Sequence, residues 1–268
     1  MTLPRFELDR PVSLEEALQR RAEGATAYSG GTELLLAMRI GLLRPDVLTD
    51  LKRLPELRGI TQEGDTIRVG AACTHDEVSR DPSVREHLPI LARVSAKVGN
   101  PRVRAQGTIG GNIVFAEPKS DIVPLLIALD GVLSLRSPSG ARDVTPAEFI
   151  VGPYWTDIAD DELLVAISVP LVTGRRAAYE KFQTLGRPSI GVAVRTDLDG
   201  ATRVVIGSVC ELPHVVDLAA PSEVDADAIA AEVDVTPDLT GDITYKRHVT
   251  AVIIRRAIAA LGGQTYGA

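Results

Sequence analysis

Two glycine pairs constrain this chain more than anything else in it. Gly30-Gly31 lies within Tyr28-Ser-Gly-Gly-Thr-Glu-Leu34, and Gly110-Gly111 within Gly107-Thr-Ile-Gly-Gly-Asn-Ile113. Glycine lets a backbone turn sharply, or approach a ligand so closely that successive N–H groups converge on it. Each pair stands between apolar residues and a polar residue able to hydrogen-bond. Two such turns with matched chemistry predict one long, phosphate-bearing ligand gripped from both sides.

A chain of 268 residues is long enough for two or three compact units around a substantial core. Hydrophobic residues at 45% and charged residues at 24% are the balance of an ordinary globular protein. The net charge of −7 opposes nonspecific nucleic-acid binding, which draws its affinity from excess Lys and Arg neutralising phosphates. No apolar run approaches the roughly 20 residues of a membrane span, and residues 1–9 lack the basic and apolar regions of a secretory signal. A cytoplasmic protein without a membrane span is expected. The two cysteines, Cys73 and Cys210, cannot supply the four thiolates of an iron–sulfur cluster, and both are expected to be buried and reduced.

Along the chain, Ser13-Leu-Glu-Glu16 reads as a capping box, with Val12 and Ala17 as its hydrophobic staple, opening a helix to residue 22. A strand over 25–28 enters the first glycine turn, Thr32 caps the next helix, and 47–51 is a second strand. This βαβ order resembles a Rossmann unit, but Gly-x-Gly-x-x-Gly is missing and no strand series follows. A strand over 66–71, a capping box at Thr74-His-Asp-Glu77, a helix over 89–98 and a helix capped by Asp121 come next. The hairpin 132–144 and a strand over 163–169 ended by Pro170 make this middle part α+β. Residues 173–176 read as an exposed linker. Three strands follow, over 179–183, 190–196 and 203–209, then helices near 225–233 and 246–261, as a separate antiparallel sheet with helices on one face.

These motifs together resemble the FAD-binding medium subunit of molybdenum hydroxylases. That family includes the carbon monoxide dehydrogenase flavoprotein subunit and the FAD domain of xanthine dehydrogenases. Besides both glycine turns, the resemblance rests on Phe6-Glu-Leu8, Ser13-Leu-Glu-Glu-Ala17, Val98-Gly-Asn-Pro-Arg-Val-Arg104 and Ala116-Glu-Pro-Lys-Ser-Asp121. It continues through Asp161-Glu-Leu-Leu164, Tyr179-Glu-Lys-Phe182 followed by Arg187, and Tyr245-Lys-Arg-His248. It implies an α+β fold: a two-lobed PCMH-type FAD-binding domain, residues 1–56 and 57–172, then a small C-terminal domain, 173–268, with a three-stranded antiparallel sheet and helices. It also implies a flavoprotein oxidoreductase subunit that takes electrons from 2Fe-2S clusters in a small subunit, fed by molybdopterin in a large one. The complex is expected to be a dimer of heterotrimers.

By the same resemblance, Ser29, Gly30, Gly31, Thr32 and Glu33 form the first loop around the FAD pyrophosphate, and Thr108, Gly110, Gly111 and Asn112 the opposing one. Each loop alone also reads as an ordinary helix-starting turn. Asp121 corresponds to an acidic residue near the ribityl and phosphate region, and equally to a helix N-cap. Leu164 corresponds to an apolar residue against the flavin, or is simply core. Lys181 corresponds to a lysine near the flavin, or is an exposed strand lysine. His75, His87, His214 and His248 share no spacing and read as structural or surface residues, and neither a Ser-His-Asp order nor a metal-ligand cluster is present. Two rival readings are a free-standing flavin-dependent oxidoreductase and a flavin-free scaffold subunit that retains the fold. The intact glycines and Asp121 argue against the second.

Overall fold

Ser13 opens the first helix as its position three residues before Glu16 predicts. In the computed structural model of the chain, which describes residues 2–184 and 186–263, the Ser13 hydroxyl accepts a hydrogen bond from the Glu16 N–H at 3.2 Å. The Glu16 carboxylate reaches back to the Val12 N–H, at 2.8 Å. Val12 is 86% exposed, so the predicted staple onto Ala17 does not form. The helix, α1 (Leu14–Ala22), follows β1 (Glu7–Asp9) and leads to β2 (Thr26–Tyr28), α2 (Leu34–Arg39) and β3 (Val47–Asp50). The three strands are parallel in the order β1-β3-β2, with the first glycine pair at the β2-to-α2 turn as predicted. β1 is too short to leave a period-2 signature in the sequence.

The middle of the chain begins with β4 (Ile60–Gln62) and β5 (Thr66–Gly70), then runs through six short helices: α3 (His75–Arg80), α4 (Pro82–His87), α5 (Pro89–Ser95), α6 (Pro101–Gln106), α7 (Ile109–Phe115) and α8 (Ile122–Ala128). The capping box of Thr74 and Glu77 forms at the start of α3. Proline at the first position opens α4, α5 and α6, where the missing N–H is no loss. The chain then forms β6 (Val132–Ser137), β7 (Gly140–Val144), α9 (Pro146–Phe149), β8 (Ile150–Gly152), β9 (Trp155–Thr156) and β10 (Leu163–Pro170). Its main sheet has the order β4-β5-β10-β6-β7, antiparallel throughout.

β10 lies at the centre of that sheet and serves two cores. Leu163 and Val165 pack with Ala17, Leu51, Leu54 and Leu57 of the first part of the chain. A bulge between Leu164 and Ala166 then switches the alternation, so Leu164, Ile167 and Val169 all join the large middle core.

The C-terminal sheet has four antiparallel strands, not three: β11 (Arg176–Phe182), β12 (Ile190–Thr196), β13 (Thr202–Gly207) and β14 (His214–Leu218). β14 is an edge strand carrying His214 and Asp217, a polar pattern that hides it in the sequence. One face, with Ile190, Val192 and Val194, packs under α10 (Ala226–Glu232) and α11 (Ile243–Ala260). The other face carries Ala177, Ala193 and Val205 into the middle core, against α8. Helices therefore cover both faces, not one. Gly207 makes this close approach fit, because a Cβ there would lie 2.4 Å from Cγ of Pro124 in α8.

The predicted exposed linker over 173–176 is also corrected. Arg175 is 5% exposed and pairs with Asp197 at 2.7 Å and Asp130 at 2.9 Å. Arg195 and Arg203 converge on the same Asp130, which sits just after α8.

Candidate functional site

The second glycine pair does not form a free turn. Thr108 caps α7 by accepting from the Gly111 N–H at 3.1 Å, so Gly110 and Gly111 lie in that helix's first turn. The pair stands beside the first one along a cleft of about 610 Å³, within the range of small-ligand sites. Every residue singled out from the sequence lines this cleft: Ser29, Gly30, Gly31, Thr32 and Glu33 on one wall, Thr108, Gly110, Gly111 and Asn112 on another, with Asp121, Leu164 and Lys181.

The two glycine segments touch. A Cβ on Gly30 would fall 2.2 Å from the carbonyl oxygen of Gln106 and 2.8 Å from Cα of Gly107. Gly31 has φ +71, and a Cβ there would strike the Tyr28 ring. A Cβ on Gly110 would lie 2.6 Å from both Cβ and the carbonyl oxygen of Ala71. The glycines thus allow backbone to pack on backbone where the two parts of the chain meet.

Their hydrogen-bond capacity differs sharply. In the second segment the N–H groups are already used: Ile109 donates to the Cys73 carbonyl, Gly110 to the Ala71 carbonyl and Gly111 to Thr108. In the first segment the N–H groups of Gly30, Gly31, Thr32, Glu33 and Leu34 find no acceptor among the described residues. Thr32 does not cap α2 as predicted. Glu33 occupies the cap position, and its side chain makes no capping bond. A run of unpaired N–H groups at a glycine turn suits an anion.

At the other side of the cleft Asp121 also departs from the capping role. Its backbone is helical and its carboxylate makes no cap; the Ser120 hydroxyl takes the Ile122 N–H instead, at 3.2 Å. The Asp121 carboxylate is 5% exposed and faces β11, where it accepts from the Tyr179 hydroxyl and the Lys181 ammonium, each at 2.8 Å. Lys181 also reaches the Lys97 carbonyl at 3.3 Å, so it is not an exposed strand lysine. Burial, then the Asp121 charge, pushes the Tyr179 hydroxyl well above the usual tyrosine range. Asn112 is held by Ser120, whose hydroxyl donates to Oδ1 at 2.6 Å.

Glu33 is held across the cleft by Arg187, which takes both carboxylate oxygens at 2.9 Å and also pairs with Glu117. Tyr154 donates its hydroxyl to Glu117 at 2.9 Å and packs edge-on against Phe115, with ring centroids 5.4 Å apart. Leu164 contributes an apolar surface at 5% exposure.

Among the described residues, two buried polar atoms of the cleft lining lack a partner, the Ser29 hydroxyl and Nδ1 of His75. His75 is 2% exposed, and burial with the nearby Arg104 charge lowers it to about 4, so the ring is neutral at neutral pH. In the sequence Glu117, Tyr179 and Arg187 stood only as members of the family motifs and His75 only as a structural or surface histidine, so none of the four was named as a site residue. Tyr179 alone left a signal, because it shares a strand face with Lys181 two residues on. Both cysteines are buried free thiols, and burial pushes Cys210 up to about 11. No group of three or more His, Cys, Asp or Glu among the described residues is placed for a metal ion, and no described helix is long and apolar enough to cross a membrane. The cleft offers hydrogen bonds, fixed charge and apolar walls, and among the described residues no nucleophile is hydrogen-bonded to a base there.

Comparison with known proteins gives the family and the fold. Residues 4–172 match the family described as the FAD binding domain in molybdopterin dehydrogenase. The chain is 33% identical to the carbon monoxide dehydrogenase medium chain of Hydrogenophaga pseudoflava, over 97% of this chain and 98% of that one. It is 27% identical to the nicotine 6-hydroxylase medium subunit of Paenarthrobacter nicotinovorans, over 99% and 100%. Among solved structures, a carbon monoxide dehydrogenase from Hydrogenophaga pseudoflava superposes with a TM-score of 0.90 at 30% identity, covering 98% of this chain and 99% of that one. Quinoline 2-oxidoreductase from Pseudomonas putida 86 gives 0.89 at 27% identity, covering 97% and 98%. The chain belongs to this family and is an FAD-binding oxidoreductase subunit of the molybdenum hydroxylase type.

Proposed function

We propose that FAD lies in the cleft with its pyrophosphate against the unpaired N–H groups of residues 30–34. The observation that carries this reading is one cleft lined by both glycine segments, the first with N–H groups that meet no acceptor among the described residues and the second with its N–H groups already used. The residues fit the group: among the described residues the Ser29 hydroxyl and Nδ1 of His75 are unpartnered polar atoms of the cleft lining, and the N–H groups of residues 30–34 meet no acceptor. Ser29, Gly30, Gly31 and Thr32 would hold the pyrophosphate, with Glu33 fixing the loop through Arg187. Thr108, Gly110, Gly111 and Asn112 would form the opposing wall by shape. Asp121 and Lys181 would face the ribityl and ring end, and Leu164 would offer an apolar surface to the ligand.

FAD supplies the one- and two-electron redox chemistry, and the protein contributes binding, orientation and electrostatics. The chain would take electrons from 2Fe-2S clusters of a small subunit, fed by a molybdopterin centre in a large subunit, and pass them to an external acceptor. It would work in the cytoplasm within a dimer of heterotrimers. Names such as "medium chain" and "subunit" among the relatives support a heteromeric assembly.

The test is uptake of FAD by the purified chain, followed through the visible flavin absorption, and co-purification with a large and a cysteine-rich small subunit. A chain that takes up no FAD would refute the reading of the cleft. A chain that takes up FAD but purifies alone and turns over a substrate by itself would refute the complex.

A further inference from the structure

Gly191 on β12 is glycine for the sake of another side chain. It lies opposite Lys181 in the strand register, and it is not among the positive-φ glycines, so backbone freedom does not explain it. A Cβ at Gly191 would fall 2.3 Å from the Tyr179 hydroxyl oxygen and 3.2 Å from Cζ. The missing side chain is the space into which that hydroxyl fits.

In that space the Tyr179 hydroxyl donates to Oδ1 of Asp121, while Lys181 donates to Oδ2. The two contacts divide the carboxylate between them, one oxygen each. Asp121 and Lys181 line the cleft, whereas Tyr179 does not. Without the phenol, both carboxylate oxygens are free to compete for the one ammonium, and the carboxylate is free to rotate about its bond to Cβ. Either change draws the Lys181 charge back from the cleft wall.

We propose that Tyr179 is a positioning residue that sets the redox potential of the bound flavin. It fixes the Asp121 carboxylate and thereby the Lys181 ammonium, and Gly191 is the residue that makes this possible. The proposal rests on the reading that FAD occupies the cleft. The electrostatic sense follows from charge. Reduction of the ring increases electron density on it, so a cation held at the cleft wall favours the reduced form, and withdrawing the cation lowers the midpoint potential.

The experiment uses the full-length chain reconstituted with FAD, its midpoint potential read by spectroelectrochemical titration and its fold checked by thermal unfolding. Tyr179→Phe removes the hydroxyl and keeps the ring, and its potential is expected to shift negative with the fold retained. Lys181→Gln should shift it further in the same direction. Gly191→Ala, which displaces the hydroxyl while leaving Tyr179 in place, should reproduce the Tyr179→Phe shift. In a Tyr179→Phe background it should add nothing, because the two substitutions break one contact. A Tyr179→Phe holoprotein with the wild-type potential would overturn the proposal, as would a Gly191→Ala shift of undiminished size in the Tyr179→Phe background. A wild-type chain that fails to take up FAD would instead overturn the reading of the cleft.

Discussion

Gly30 lies against the backbone of Gln106, so closely that a side-chain carbon on it would sit 2.2 Å from the Gln106 carbonyl oxygen. Gln106 ends α6 immediately before the second glycine segment, and this contact holds the first segment against the start of the second. Gly30→Val must push those segments apart. Overpacking of this kind is expected to lower stability by about 1–3 kcal/mol. FAD affinity should fall at least roughly tenfold, about 1.4 kcal/mol, because the free N–H groups move with the loop. Urea unfolding and a fluorescence titration with FAD measure the two effects separately. Wild-type affinity in this variant would mean that the spacing does not govern binding.

Arg187 neutralises two carboxylates that line the cleft, Glu33 and Glu117. Its side chain is 41% exposed, so the pairs themselves add little to folding stability, on the order of 1 kcal/mol or less. Arg187→Gln should leave the unfolding midpoint nearly unchanged. It would release both acids beside an anionic ligand, and FAD affinity should drop by roughly tenfold at low salt and by less at high salt, as screening grows. FAD titrations at two ionic strengths test this, and a loss independent of salt would point to altered shape instead.

His75 makes stability sensitive to acid. Its folded-state value is lowered from 6.5 to about 4, so the unfolded chain binds a proton more readily. The stability contribution is fully present above about pH 6.5 and is lost as pH falls towards 4. The full difference corresponds to about 3 kcal/mol. Unfolding free energies measured between pH 7 and 4.5 should decline more steeply for the wild type than for His75→Leu. Parallel curves would show that the ring escapes burial before it titrates.

Asp130 gathers Arg175, Arg195 and Arg203 at the end of α8, and its φ of +55 is a conformation that asparagine tolerates well. Asp130→Asn therefore removes the charge with little change in backbone strain. It leaves Arg175, 5% exposed, with Asp197 as its remaining acid. A loss of about 2–4 kcal/mol is expected from uncovering a buried cation, read as a lower urea midpoint. An unchanged midpoint would mean that Asp197 and Asp217 suffice to balance the three arginines.

What the sequence disclosed was local. Thr74-His-Asp-Glu77 announces the start of α3 because both halves of its capping box lie within one turn, and Ser13 does the same for α1. The glycine pairs marked the cleft walls because the residues that need them lie beside that contact. The failures were contacts made at a distance. The acceptor role of Asp121 depends on Tyr179 and Lys181, 58 and 60 residues further on, so nothing nearby distinguished it from a helix cap. Arg175 looked like a linker residue because its acids come from Asp130 and Asp197. The fourth strand of the last sheet was hidden for a related reason: an edge strand keeps one side in water and carries little apolar pattern.

The sandwiching of α8 has a practical outcome for anyone dividing the chain. Ile122, Val123, Leu125, Leu126 and Ile127 are all buried, and part of what buries them is β12 and β13. A fragment ending at residue 172 would match the recognised FAD-binding region yet expose a greasy helix flank and strand Asp130 without its three arginines. Such a piece is expected to aggregate or to self-associate through that flank. The shortest well-behaved product should be the whole chain, with the cleft and the last sheet made and unmade together.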